Sequence, residues 1–281
     1  MQVSVVITTK NEEKNIQNCL DSILKQTFSR EEMEIIVADN NSTDRTKEVA
    51  RQCTNNIFDD GLAPLNLEVF NWGPERSAQR NFGVGKAMGE YILYLDADMI
   101  LSPGVINECV EKIREDDTLV ALYIPEIIMG EGLLSRVRGF ERSFYDGTVI
   151  DAVRFVKRDV FTGVGGFDES LTGPEDWDFD RKIREIGKVD IIASPLYHNE
   201  RHLNLKNYLN KKAYYSQNFQ KYINKWGAQD TNIRKQFGLY YRYFGVFLEQ
   251  GKWKKVVSHP ILACGMLCLR FLVGVNYLLR K

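Results

Sequence analysis

The sequence predicts an α/β fold: a mostly parallel sheet with helices on both faces, followed by a helical C-terminal extension. Three observations carry this. Short apolar, β-prone runs alternate with amphipathic segments of helical period through the first hundred residues. That β-α-β-α-β-α-β order closes into a parallel sheet with right-handed crossovers. Beyond Leu203 the pattern turns helical and rich in Tyr and Lys, with no repeat or low-complexity segment in the chain. At 281 residues the polypeptide can bury a sizeable core.

The first strand is Val3–Thr9, whose apolar run starts within two residues of Met1 with no basic stretch before it, so it reads as a strand and not a leader. Residues 12–26 follow as a helix with Ile16, Leu20, Ile23 and Leu24 on one side. Strand 34–38, helix 43–52, strand 67–71, helix 75–88 and strand 91–95 complete the alternation. The second part predicts a helix at 103–114 with Pro103 in its first turn, a strand at 118–125, a helix at 133–145 and a strand at 152–156. A glycine-dense loop, Gly163 to Glu169, lets backbone approach a ligand closely. The turn Gly173-Pro174-Glu175-Asp176 opens a helix at 177–186, and a strand at 189–193 closes the α/β part. The expected organisation is a catalytic domain over 1–200, split into a nucleotide-binding half (1–100) and an acceptor half (101–200), with a separate helical region over 201–281.

Composition narrows the class. Hydrophobic content of 44% and charged content of 27% are those of a soluble globular protein. Cys19, Cys53, Cys109, Cys264 and Cys268 form no Cys-X-X-Cys pair, which favours reduced thiols in a cytoplasmic compartment. The net charge of −1 hides an asymmetry: residues 1–200 carry 22 basic and 36 acidic side chains, and residues 201–281 carry 15 basic and two acidic. The tail is therefore expected to meet something anionic, or to pair with the acidic first part.

Parallel strands deliver their following loops to one sheet edge, where open α/β folds bind ligands. Thr8, Lys10 and Glu12 follow the first strand, Asp39 the second, and Asp96 and Asp98 the fourth, while Arg80 lies on the third helix. Asp39 can accept from a base N–H, and Arg80 can fork onto phosphate. Two carboxylates one residue apart suit Mg²⁺ or Mn²⁺ held between protein and diphosphate. Turn and cap chemistry would explain Asp39, Ser42, Thr43 and Asp44 taken singly.

Together the motifs resemble a known family. Val3 to Glu13, Ile36 to Asp44, Ala78-Gln79-Arg80-Asn81-Phe82-Gly83, Leu95-Asp96-Ala97-Asp98, then Gly165 to Glu169 and Glu175-Asp176-Trp177-Asp178 look like glycosyltransferase family 2 in both order and spacing. The resemblance covers roughly residues 1–200. It implies the GT-A fold, a Rossmann-like nucleotide-diphospho-sugar transferase architecture, and inverting sugar transfer with Mn²⁺ or Mg²⁺. It assigns Thr8, Lys10, Glu12 and Asp39 to base and ribose, Arg80 to the nucleotide, Asp96 to the ribose or metal shell and Asp98 to the metal. It makes Asp176 the general base, with Glu175 positioning it or the acceptor. One departure stands out: Asn40-Asn41 replaces the second acid and glycine often found after Asp39, so an acidic contact is missing and the expected preference for a UDP-sugar is weakened.

Elementary chemistry agrees with those roles. In-line displacement needs a neutralised leaving diphosphate, a held acceptor and a base for its hydroxyl proton. A helix N-terminus favours an ionised carboxylate, as at Glu175-Asp176. His198, at i, i+4 from His202, is a candidate further metal contact or simply a hydrogen-bonded histidine.

Residues 201–281 hold 15 of the 32 aromatics, mixed with cations as in Lys211-Lys212-Ala213-Tyr214-Tyr215. This composition suits a membrane interface. The terminal run Pro260–Leu279 is long enough to span, but a central Arg270 would cost about 2.5–3.5 kcal/mol on insertion. A helix lying in an anionic interface, helped by Lys252, Lys254, Lys255, Arg280 and Lys281, is expected; packing on the core or a dimer seam competes with it. The expected partners are a nucleotide-diphospho-sugar, a glycan or polyprenyl-linked acceptor and a cytoplasmic membrane face, with no nucleic acid. Two rival readings are a nucleotidyltransferase, which would want a glycine-rich phosphate loop where Thr8 to Glu12 has no glycine, and a non-enzymatic membrane- or nucleic-acid-binding module, which leaves the acidic constellation unexplained.

Overall fold

A computed structural model of the chain describes residues 1–56, 66–201 and 203–279. His202, Arg280 and Lys281 lie outside the described residues. The seven-stranded sheet is built from β1 (Val3–Thr9), β2 (Met33–Asp39), β3 (Asn66–Asn71), β4 (Tyr91–Asp96), β6 (Leu119–Tyr123), β8 (Phe155–Lys157) and β9 (Lys188–Ile191), in the order β3-β2-β1-β4-β8-β6-β9. All neighbours pair in parallel except β8, which runs antiparallel to both β4 and β6. Strands β1 and β2 are buried at every position, which is why they read as unbroken apolar runs and not as alternating ones.

Helices cover both faces. On one, α1 (Ile16–Leu24), α2 (Thr46–Asn56) and α4 (Val105–Glu115) pack through Ile16, Leu20, Ile23, Ala50, Ile106 and Ile113 onto Val3, Val5, Ile7 and Ile35. On the other, α3 (Arg76–Lys86), α6 (Arg158–Gly163) and α7 (Glu175–Ile186) press Val84, Phe161, Phe179 and Ile183 onto Val6, Ile92 and Tyr94. Helices α1, α4 and α7 show their buried residues at i, i+3 and i+4 spacing, the stripe that the sequence carries.

A second sheet was not legible in the sequence. β5 (Met99–Leu101), β7 (Glu126–Met129) and β10 (Leu196–Asn199) form it in the order β5-β10-β7. β10 is antiparallel to β5, with His198 opposite Met99, and parallel to β7. The strand expected at 152–156 is displaced toward Phe155–Lys157, and the helix expected to reach 145 ends at Arg142 as α5 (Gly132–Arg142).

The C-terminal region is helical: α8 (Leu205–Ser216), α9 (Phe219–Trp226), α10 (Thr231–Phe237), a π-turn at Tyr241–Gly245, α11 (Val246–Leu248), α12 (Trp253–Ser258) and α13 (Pro260–Leu279). Asn204 and Asp230 cap α8 and α10 by accepting from the first free backbone N–H groups. Helix α13 packs Met266 and Leu269 against Val137 and Phe144, on and beside α5. Its Arg270 is buried and donates to Glu141 at 3.1 Å, so the charge that counted against a lipid-facing helix points into the protein. Part of the tail's basic charge is also paired internally: Lys225 bridges Asp168 and Asp178 at 2.8 Å each, and Lys252 donates to Phe144 O at 2.9 Å.

Candidate active site

The site is built around one buried arginine. Arg80 is fully enclosed on α3, its guanidinium between the rings of Tyr94 and Phe167 at 4.9 Å from each centroid. It donates to Asp176 Oδ1 at 2.6 Å and to Asp96 Oδ1 at 3.1 Å. One turn earlier Arg76 donates to Glu175 Oε1 at 2.8 Å and lies 3.6 Å from Asp96 Oδ2. Two cations at i, i+4 on one helix face thus tie Asp96, which ends β4, to Glu175 and Asp176, which open α7 far along the sequence.

Electrostatics divide these acids. Burial would raise Asp96, but Arg80 and Arg76 overturn it and, with a hydrogen bond from Thr8 Oγ1 at 2.8 Å, hold its carboxyl well below the usual range. Glu175 is buried and pushed up, first by desolvation and then by the charge of Asp176 beside it, and its Oε2 has no hydrogen-bond partner. Asp176 is the more accessible of the two, its side chain 24% exposed.

Asp98 lies past the strand end, in the turn into β5, which separates it from Asp96. Its Oδ2 meets His198 Nε2 at 3.0 Å, and His198 Nδ1 meets Glu126 Oε1 at 3.0 Å. Burial opposes protonation of His198, yet the carboxylates on either side push it up to about 10. Glu126, despite burial, is held well below its ordinary value by Arg142, His198 and Arg154. Asp98 Oδ1 is buried and has no hydrogen-bond partner. The unpartnered Asp98 Oδ1 is the kind of oxygen donor a hard divalent cation takes when phosphate oxygens complete its shell, while His198, with both ring nitrogens on carboxylates, would have to give up a proton to join it. No cluster of three or more His, Cys, Asp or Glu able to hold a metal unaided occurs among the described residues.

The remaining expected residues fall around this centre. Lys10 is exposed just past β1. Glu12 is half-buried, accepts from Asn15 at 2.6 Å and is raised chiefly by burial, with Asp98 and Asp96 adding to the effect. Asp39 is fully buried, with its carboxylate accepting from the backbone N–H of Ser42 at 2.7 Å and from the Ser42 hydroxyl. In this state it shapes the turn after β2, where Asn41 takes a left-handed φ of 50°.

Sequence reasoning missed several contributors. Arg76 carried a usable signal, its i, i+4 spacing from Arg80. Gln79 ties β1 to β2 by donating to Thr9 O and Ala38 O at 3.0 and 2.6 Å. Glu126 orients His198 from a strand too short to read. Tyr215 of α8 lies under the guanidinium of Arg76 at 5.2 Å, and Lys211, 5.9 Å from the Tyr215 ring, feels Asp98 and Asp96. Gly173 permits that approach: at φ +102° a Cβ there would sit 2.5 Å from Tyr215 O. The tail therefore lines the site as well as following it.

Comparison with known proteins gives the family and the fold. The sequence model of "Glycosyl transferase family 2" matches residues 4–167. Poly(ribitol-phosphate) beta-N-acetylglucosaminyltransferase TarS of Staphylococcus aureus (strain Mu50) is 31% identical over 133 residues, 47% of this chain and 22% of TarS. Glycosyltransferase AglE of Haloferax volcanii is 38% identical over 98 residues, 34% of this chain and 30% of AglE. The chain thus spans under a third of the length of these two relatives. Among solved structures, the mannosyltransferase PcManGT from Pyrobaculum calidifontis, in complex with GDP-Man and Mn²⁺, shares the fold at a TM-score of 0.66 and 19% identity, covering 100% of this chain and 88% of that one. S. aureus TarS 1-349 in complex with UDP-GlcNAc follows at a TM-score of 0.59 and 22% identity, covering 87% of this chain and 73% of that one. With the match to the family running through more than half of its length, the chain belongs to glycosyl transferase family 2.

Proposed function

We propose that this chain is a metal-dependent, inverting glycosyltransferase that moves a sugar from a nucleotide-diphosphate donor, a UDP-sugar by preference, to a hydroxyl of a glycan or polyprenyl-linked acceptor. The observation that carries the reading is Arg80, buried and shared by Asp96 and Asp176. It makes one site of the strand-end acids and the helix-start acids, so a donor anchored at the first can meet a base at the second. The TarS relative, a β-N-acetylglucosaminyltransferase by name, supports the donor class.

Asp176 takes the acceptor hydroxyl proton on its carboxylate, which Arg80 orients through Oδ1. Glu175, locked to Arg76, sets the start of α7 and the acceptor side. Thr8, Lys10, Glu12 and Asp39 serve base and ribose at the ends of β1 and β2, and Asp96, committed to arginines, supports the site without offering a free oxygen. Mn²⁺ or Mg²⁺ would be held by Asp98 with His198 beside it, and supplies charge neutralisation for the departing diphosphate. Asp39 needs the Ser42 turn to open slightly if it is to meet a base. The domain division at about residue 200 and a peripheral location on a cytoplasmic membrane face belong to the same reading, supported by the basic, aromatic tail.

The test is slow hydrolysis of a panel of nucleotide sugars with Mn²⁺. One donor should be turned over, and Asp98→Ala should abolish the metal response. Asp176→Asn should bind donor normally and lose transfer. Near-normal transfer by Asp176→Asn would remove the base assignment.

A further inference from the structure

Helix α13 has two unlike faces. The inner one, Ala263, Met266, Leu269 and Arg270, is buried. Asn276 is likewise turned inward and donates to Leu209 O at 2.9 Å. The outer face carries Ile261, Leu267, Phe271, Leu272, Leu278 and Leu279, all exposed, Ile261 at 76% and Leu279 at 81%. With Arg270 and Asn276 engaged by protein, no charged side chain lies on the exposed side between Pro260 and Leu279. Twenty helical residues make this apolar strip about 30 Å long, larger than the scattered apolar side chains of an ordinary surface. Immediately before it, α12 exposes Trp253 and Val257 together with Lys254 and Lys255.

We propose that the outer face of α13, with α12, is a docking surface for an anionic lipid bilayer, on which α13 lies in the plane of the interface. Charge selects this occupant. Beside the uncharged strip, α12 exposes Lys254 and Lys255 and carries no acid; anionic headgroups complement these cations, whereas the like-charged α12 of a second copy does not. Packing selects the orientation. The inner face is covered by α5 and α8, and α8 exposes Lys206 and Lys211; a spanning helix would drag these into hydrocarbon at high cost. An in-plane helix immerses one face and leaves the other on the protein. The proposal deepens the peripheral location read above and is independent of the transfer chemistry.

The experiment uses the full chain and its own thiols. Cys264 and Cys268 are exposed on the outer face of α13, and Cys19, Cys53 and Cys109 are buried. An environment-sensitive fluorophore on Cys264 and Cys268 should shift to an apolar signal with phosphatidylcholine vesicles containing phosphatidylglycerol. Probes at Ile261→Cys and Leu279→Cys, at the two helix ends, should report equal shallow depths. Leu267→Glu combined with Phe271→Glu should weaken vesicle binding by about a hundredfold or more while circular dichroism stays unchanged. A probe that stays in a water-like environment on bound protein would leave charge-driven attachment standing and overturn insertion. Ends in water with a deep centre would mean a spanning helix. A vesicle-free dimer dissolved by the same two substitutions would make the face a self-association seam.

Discussion

The two sheets of this protein divide the labour of one site and differ in almost every respect. The seven-stranded sheet has long buried strands at β1, β2 and β4, and brings Thr8, Asp39 and Asp96 to a common edge. The three-stranded sheet uses strands of three or four residues, yet it alone sets Asp98 against His198 and Glu126. Asp96 and Asp98 are two residues apart and stand in different settings: the first is locked among arginines on the large sheet, and the second keeps a buried, unpartnered oxygen beside the small one. A carboxylate locked by arginines and one with an unpartnered oxygen are thus separated by a single residue, Ala97.

Perturbing each sheet separately tests that division. The largest effect should come from Arg80→Ala on the frame. It strands Asp96 and Asp176 around a buried hole, and loss of one partner of a buried ion pair costs about 3–5 kcal/mol; chemical denaturation should show that loss, and activity should vanish with it. Asp98→Ala removes one of the two carboxylates held by His198, so it should cost less stability than Arg80→Ala while cutting metal-dependent turnover by about a thousandfold, as expected from several kcal/mol of lost charge stabilisation. Asp176→Asn should lower kcat by about 10²–10⁴-fold with KM for donor little changed. If Asp98→Ala unfolded the protein and Arg80→Ala did not, the roles of the two sheets would be reversed.

A smaller effect concerns pH. Without metal, His198 has its pKa raised from its ordinary 6.5 to about 10 by Asp98 and Glu126. Its stabilising contribution is therefore complete below about pH 6.5 and is lost as pH rises toward 10. Melting temperature in chelator should fall across that window, and His198→Asn should flatten the fall. The smallest change should come from Lys211→Ala, a few-fold rise in KM for donor as one cation near Asp98 is removed.

The comparison also explains what the sequence revealed. Strands β1, β2 and β4 were readable because burial on both faces writes an apolar run, and their parallel order then puts the strand-end loops together without further information. Asp176 and Arg80 were found through motifs, but their contact was not, because it joins a helix face to a distant helix start. Glu126 and β10 stayed hidden because three or four mixed residues have no usable period. The tail's charge reads as unusual in the sequence, and pairing with the acidic first part is visible at Lys225; that Arg270 turns inward, that Lys211 and Tyr215 border the site and that α13 keeps an apolar face outward needed the fold.

The central claim is that Asp98, and not Asp96, is where metal and donor meet. The direct measurement is calorimetric titration of the nucleoside diphosphate of the preferred donor into the full chain, with and without Mn²⁺, for the native protein and Asp98→Ala. Mn²⁺ should tighten binding to the native protein by about tenfold or more, roughly 1.4 kcal/mol, and have no effect on the variant. An undiminished Mn²⁺ enhancement in a folded Asp98→Ala protein would contradict it.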